Sequence, residues 1–388
     1  MSMPPRQIAF IAEEFTLSGP AQQILDRLLM GVAEEGEFRH WEGSQIVLHL
    51  PPPSTVDPRL LVPRRERGLR VAVSLEEALR GTDAAVVVGR GTGETPNAEL
   101  VGRVIQGIAP GGACFVHGLL ARTGREAREL SAAAAARRVR LLAGTPVGTT
   151  WRLPDVAFPR HARAGDGLIV VQGATPQALL RGLDGLLPFM DQRAERIAGA
   201  PTLQAFQGEE VWRAGRENRW PEWLLAPALS RSDNPQGDPV LDGRTQDLVG
   251  LGLVPRLARD PRVWVATHPD GARTAVAALD GVTADITLAV GLLEGVRAFS
   301  FRMEAPPFSL RRDPVGKVLT VVLSTQLLMA PAPREEHYGP FVSSVRRFLS
   351  GLGSWPVGRG VEMAELYEAM LAAPVNVPAS ATVRPQHP

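Results

Sequence analysis

Residues 113–145 read ACFVHGLLARTGREARELSAAAAARRVRLLAGT, and this stretch decides the fold. Ala113 to Val116 is a short apolar run of the kind that fills a sheet centre. Thr123-Gly124-Arg125-Glu126 then spells a capping box: the threonine oxygen accepts an orphan backbone N–H, and the glutamate carboxylate reaches back. An Ala-rich run carries that helix to Arg138, and Val139 to Ala143 is apolar again. A strand, a helix and a second strand at this spacing form a βαβ unit, so the two strands run parallel.

The same rhythm continues upstream. Ile8 to Ala12, Gln45 to Leu50, Leu69 to Val73 and Ala84 to Val88 read as four more strands. Helices are expected over Pro20 to Ala33, after the capping box Ser74-Leu75-Glu76-Glu77 as far as Gly81, and over Asn97 to Ile108. Six strands alternating with helices predict a doubly wound, Rossmann-like parallel sheet over residues 1–150. Right-handed crossovers leave few other topologies.

From Trp151 the pattern changes. Leu168 to Val171 is a strand, and Thr175-Pro176 opens a helix with Pro at its favoured first position. Thr202 to Phe206 reads as a strand, Val211 to Leu225 as an irregular Trp-rich helix, and Ser230 to Gly243 as a polar loop. Val263 to Thr267 and Arg273 to Leu279 flank the turn His268-Pro269-Asp270-Gly271, and the strands Asp285 to Val290 and Val296 to Met303 follow closely. Late helices are expected over Phe341 to Leu352 and Val361 to Ala372. Residues 151–388 thus read as an α+β domain with an open antiparallel sheet, and the whole chain as α/β.

Composition narrows the class. The 388 residues carry 42 Lys+Arg against 41 Asp+Glu, a net charge of +1, which gives no basic excess for a nucleic-acid partner. Cys114 is the single cysteine, so an intrachain disulfide and a cysteine metal cluster are excluded. No apolar window reaches membrane-spanning length, and the N-terminus lacks a secretory pattern, so a cytoplasmic location is expected. Lys317 is the only lysine.

The order of Val116-His117-Gly118, Thr123 to Glu129, Val139 to Ala143 and Gly144-Thr145, with Arg152 downstream, resembles the glucose–fructose oxidoreductase and inositol dehydrogenase (Gfo/Idh/MocA) family. The late Phe341-Val342-x-x-Val345-Arg346-Arg347-Phe348-Leu349 segment, followed by Trp355-Pro356-Val357, extends the likeness over most of the chain. The resemblance implies a two-domain oxidoreductase acting on a sugar-like or cyclitol molecule with NAD(P). It also implies a homo-oligomer whose contact face is the open sheet of the second domain.

The chemistry-bearing positions depart from that family. Its Gly-x-Gly-x-x-Gly turn is matched here by Ala12-Glu13-Glu14-Phe15-Thr16-Leu17-Ser18-Gly19, with one late glycine and two carboxylates. A carboxylate about 4 Å from a phosphate at intermediate dielectric costs about 4 kcal/mol. The acid expected after the second strand is replaced by His49-Leu50-Pro51-Pro52-Pro53, with Asp57 late. The family's catalytic lysine falls at about His117 or Gly118, and its Asp-x-x-x-His pair at Gln177 and Arg181, with Asp184 kept.

Candidate residues follow. His117, at the carboxyl end of a parallel strand, is the candidate acid–base group in place of the lysine, or else a hydrogen-bonded loop histidine. Arg152 is a candidate clamp for a carboxylate or phosphate beside the wall of Trp151, or part of a hinge cluster with Thr145, Thr149 and Thr150. Arg181 completes the catalytic candidates. Glu13, Gly19, Gly89, Arg90 and Thr145 are the cofactor-side candidates, and Gly89-Arg90-Gly91-Thr92-Gly93-Glu94 is a loop suited to an anion. Trp212, Trp220 and Trp223 read as sugar-stacking or core residues, and His161, His268 and His337 lack metal-ligand spacing. Three functions stay open: a divergent NAD(P)-dependent dehydrogenase; a non-redox lyase or isomerase using His117, with no cofactor; and a catalytically silent subunit pairing with an active relative.

Overall fold

The computed structural model describes residues 5–377 apart from 18, 35–36, 41–42, 55, 91–94, 155, 157, 159–161, 192, 194–196, 198, 233–247, 284, 303–308, 313–317, 323–337, 354 and 356–357. The chain divides into two compact units, Met1–Trp151 with Met303–Leu366, and Arg152–Arg302 with Tyr367–Pro388.

The first unit carries β1 (Gln7–Ala12), β2 (Val32–Glu34), β3 (Glu37–Arg39), β4 (Gln45–His49), β5 (Arg70–Ala72), β6 (Ala84–Val88), β7 (Ala113–His117) and β8 (Arg140–Gly144). Its helices are α1 (Pro20–Met30), α2 (Pro58–Arg65), α3 (Leu75–Leu79), α4 (Ala98–Gly107) and α5 (Gly124–Ala136). Six strands form one sheet in the order β5-β4-β1-β6-β7-β8, every pair parallel. The order reverses between β1 and β6, which is where doubly wound sheets open a crevice for ligands.

Alternate residues of each strand serve opposite faces. Ala9, Ile11, Val47, Val87 and Val116 pack with Leu75 of α3, Val104 of α4 and Leu130 of α5. Ile8, Phe10, Leu48, Val86 and Phe115 pack with Ile24 of α1, Leu61 of α2 and the helix Tyr338–Leu349. That last helix stands beyond residue 150, yet it belongs to this unit because Phe341, Val342, Val345, Phe348 and Leu349 fill the same core. Helix α2 escaped the sequence reading; Asp57 caps it by accepting from Arg59 N at 2.9 Å, and Pro58 sits at its first position. Helix α1 ends earlier than expected, at Gly31, whose φ of 106° breaks the helix.

The second unit carries β9 (Trp151–Leu153), β10 (Ala164–Val171), β11 (Thr202–Gln207), β12 (Arg259–Thr267), β13 (Arg273–Asp280), β14 (Ile286–Leu292) and β15 (Gly295–Arg302), in the order β11-β12-β13-β10-β14-β15-β9. Its longer helices are α6 (Pro176–Met190) and α7 (Glu209–Arg216), with the short α8 at Leu225–Leu229. The sheet is mixed, since β10 and β13 pair in parallel while their other partners run antiparallel. The sequence reading expected an open antiparallel sheet; the sheet is open in strand order, and helices pack on each of its faces. On one face Ile169 and Val276 meet α6 so closely that a Cβ on Gly182 would lie 2.8 Å from Val276. Their neighbours Leu168, Val170, Ala275 and Ala277 point the other way, into a cluster with Trp212, Trp220, Leu224 and Leu229. The Trp-rich segment is therefore a lid on the sheet.

Candidate functional site

A cavity of about 790 Å³ lies at the carboxyl edge of the first unit's sheet. It is lined by Glu13 after β1, Pro51 to Ser54 after β4, Arg90 after β6, Thr95 to Leu100 and Arg103 around the start of α4, and Arg122 and Glu126 at the start of α5. Both helices begin with strong caps: Asn97 Oδ1 accepts from Glu99 N (2.8 Å) and Leu100 N (3.3 Å), while Thr123 and Glu126 form the expected capping box.

The turn between β1 and α1 is tied down at Glu13 and Gly19. Glu13 N donates to Val88 O at 3.0 Å, and Glu13 O accepts from Ser54 Oγ at 2.7 Å. Glu13 Oε2 accepts from Asn97 N at 3.2 Å, so the carboxylate sits at the start of α4. Phe15 is 1% exposed and part of the core. The Arg64 guanidinium covers its ring, 5.4 Å from the centroid, and forks onto both Asp26 oxygens at 2.6 Å. Gly19 closes the turn by donating to Thr16 O at 3.1 Å; a Cβ there would lie 2.5 Å from Thr16 Oγ1. Pro20 at the first helical position leaves one fewer N–H for an anion.

These residues do not fit a dinucleotide pyrophosphate. A pyrophosphate held at the start of α1 needs open glycine backbone and N–H groups. Here the turn into α1 holds a buried phenyl ring and a proline, and the Glu13 carboxylate is bonded to the start of α4 instead. The acid that would take the ribose hydroxyls is missing too. His49 is buried with Nδ1 3.3 Å from Ala72 O, and Asp57 is engaged by Arg59, whose hydrogen bonds hold its carboxyl below the usual range.

The end of β7 carries no lysine. His117 is 2% exposed and meets Phe341 edge-on, with 5.9 Å between centroids. Gly118 follows with φ of 92°, donating its N–H to Gly144 O at 2.9 Å. That backbone geometry favours glycine and disfavours any side chain. After β8, Thr145 is buried and its Oγ1 accepts from Val147 N at 3.3 Å.

Of the sequence candidates, Glu13 and Arg90 share the cavity, whereas Gly19, Gly89, Thr145 and His117 are not among its lining residues. Arg152 and Arg181 belong to the second unit. There the Arg152 guanidinium stacks over Phe299 at 5.4 Å, and Arg181 is half-buried on α6. Trp212 and Trp220 are core residues, while Trp223 is 51% exposed and donates Nε1–H to Asp166 Oδ2 at 3.1 Å. Gly91 to Glu94, His161, Lys317 and His337 lie outside the described residues. Among the described residues no cluster of His, Cys, Asp and Glu could hold a metal ion, and no helix is long and apolar enough to cross a membrane. Sequence reasoning missed Ser54, Asn97 and Arg122; the helix caps at Asn97 and Thr123 were the usable signal for the last two.

No protein-family model matches the chain, and no curated protein matches it. Solved structures do. The myo-inositol 2-dehydrogenase of Lactobacillus plantarum superposes with a TM-score of 0.53 at 10% identity, covering 95% of this chain and 97% of its own. GenD2 from gentamicin A biosynthesis, solved in complex with NAD, gives 0.51 at 14% identity over 96% and 94%. A probable dehydrogenase from Thermotoga maritima gives 0.51 at 10% identity over 95% and 96%. At such identities the likeness shows the fold: an α/β dehydrogenase architecture, shared along nearly the whole chain.

Proposed function

We propose that this chain is a divergent member of the glucose–fructose oxidoreductase and inositol dehydrogenase family that takes a sugar-like or cyclitol molecule without lysine-assisted hydride transfer. The observation that carries the reading is the pair His117 and Gly118. The family resemblance puts the lysine at about one of these two positions; His117 is buried, and Gly118 has a backbone geometry suited to glycine. The first crossover supports it independently, because the turn from β1 into α1 carries Glu13, a buried Phe15 and Pro20 in place of an open glycine backbone. The sugar-like ligand is supported by the likeness to the myo-inositol 2-dehydrogenase of Lactobacillus plantarum.

The test is direct. Purified full-length protein is titrated calorimetrically with NAD⁺, NADH, NADP⁺ and NADPH, then assayed for nicotinamide absorbance change with myo-inositol and glucose. The expected result is no turnover and no dinucleotide binding up to millimolar concentration, with measurable binding of a polyol. Turnover dependent on either nicotinamide overturns the reading.

A further inference from the structure

The cavity of the first unit has a charge pattern that the proposed function leaves unexplained. Three arginines and three glutamates line it. Most are already engaged with protein partners. Glu13 accepts from Asn97 N at 3.2 Å, and Arg103 pairs with Glu76 at 3.0 Å. Glu126 accepts from Thr123 N at 3.3 Å and Thr123 Oγ1 at 3.0 Å. Arg90 and Arg122, both exposed, make no hydrogen bond or ion pair among the described residues. Two guanidinium groups therefore face one uncommitted carboxylate, Glu99.

The fold adds to that surplus. Arg90 follows β6, Arg122 precedes α5, and β6 and β7 are neighbours in the sheet. The cavity also receives the positive ends of α4 (10 residues) and α5 (13 residues), whose aligned peptide dipoles favour an anion there. A guanidinium presents a planar fork of donors matched to a carboxylate or a phosphate.

We infer that this cavity takes a compact polyol ring bearing one oxyanion, phosphate or carboxylate, held by Arg90 and Arg122. The inference rests on the proposed function for the polyol part and adds the charge. The volume of about 790 Å³ falls within the range of about 300–1,000 Å³ common to small-molecule sites. The tied carboxylate of Glu13 closes the crossover against a pyrophosphate while leaving the arginine side of the cavity open.

The experiment is calorimetry on the full chain with glucose 6-phosphate, glucuronate, neutral glucose and NADP⁺ as probes. At least one anionic sugar binds about tenfold or more tightly than glucose, and raising the salt weakens it, as expected for a charge-assisted contact. The glucose 6-phosphate and glucuronate arms say which oxyanion is meant. The R90Q/R122Q variant, with both sites changed at the surface and an unaltered unfolding midpoint, loses the preference and binds the charged and neutral sugars alike. Equal affinity for charged and neutral sugars in the parent overturns the inference while leaving the proposed function standing. So does a preference that survives in R90Q/R122Q. Absence of binding by every sugar overturns both. NADP⁺ binding more tightly than every sugar overturns the inference and, if turnover accompanies it, the proposed function as well.

Discussion

Placing a lysine at the end of β7 is expected to damage the first unit without creating a dehydrogenase. Gly118 has φ of 92°, a region where a Cβ collides with its own backbone. Moving an L-residue there costs about 1–2 kcal/mol, so Gly118→Ala alone should lower stability by that amount. The position is buried, and its N–H is spent on Gly144 O. A lysine must therefore also lose water from its ammonium or push through the packing around it, which brings Gly118→Lys to about 3 kcal/mol or more. Urea unfolding of the full chain, followed by circular dichroism, measures both variants against the parent. The same preparations are then assayed with NAD⁺ or NADP⁺ and myo-inositol. A lysine variant as stable as the parent that gains nicotinamide-dependent turnover would refute the reasoning, because the backbone would then have had room for the lysine all along.

Other expectations follow from single contacts. Arg64→Ala removes the fork on Asp26 and the cover over Phe15, and should cost about 2–3 kcal/mol by urea unfolding; a loss under half that would mean the pair is a surface contact. Burial pushes the Cys114 thiol up to about 12, so a thiol reagent at mildly alkaline pH should label it only after unfolding. Asp166 takes a bidentate Arg273 and the Trp223 indole, so Asp166→Ala should cost about 3 kcal/mol and change Trp223 fluorescence. Desolvation raises the Glu222 carboxyl pKa, against the opposing charge of Arg216. The folded form thus holds the proton more tightly than the unfolded form, and this group's contribution is present at low pH and lost as pH rises through the folded pKa. Glu222→Gln should raise the unfolding midpoint near neutral pH, with the gain vanishing in acid. A gain that persists at low pH would show that its origin is packing.

The parallel sheet was legible because its strands are mostly short apolar runs and several of its helices announce their starts. Thr123 with Glu126 forms the capping box its sequence implies; Ser74 accepts from Glu77 N as expected, while the Glu77 carboxylate takes Val73 N in place of Ser74 N. The second unit was legible as strands but not as a layer structure. Pairing direction and the covering of a face depend on contacts between residues far apart in the chain, such as Leu168 and Ala275 with Trp220. No local pattern encodes those. The same limit explains the helix Tyr338–Leu349: its apolar stripe is plain, but nothing local says which core it enters.

The site shows the limit most sharply in Glu13. In the sequence its charge reads as an obstacle to phosphate. What the sequence does not contain is the partner: Asn97 lies far along the chain, and only the adjacency of β1 and β6 brings the start of α4 over the end of β1. A carboxylate placed there satisfies the N–H of the residue that caps α4, a different helix from the one whose start would hold a pyrophosphate. The substitution is therefore more than a lost glycine. It ties the end of β1 to the start of α4 through a side chain. Restoring glycine at 13 alone would leave Phe15 in the core and Pro20 on the helix, so Glu13→Gly should uncover the Asn97 N–H yet still fail to bind NAD⁺ by calorimetry. Tight NAD⁺ binding by that single variant would show that the carboxylate was the sole barrier, and that the rest of the crossover had kept the shape of a dinucleotide site.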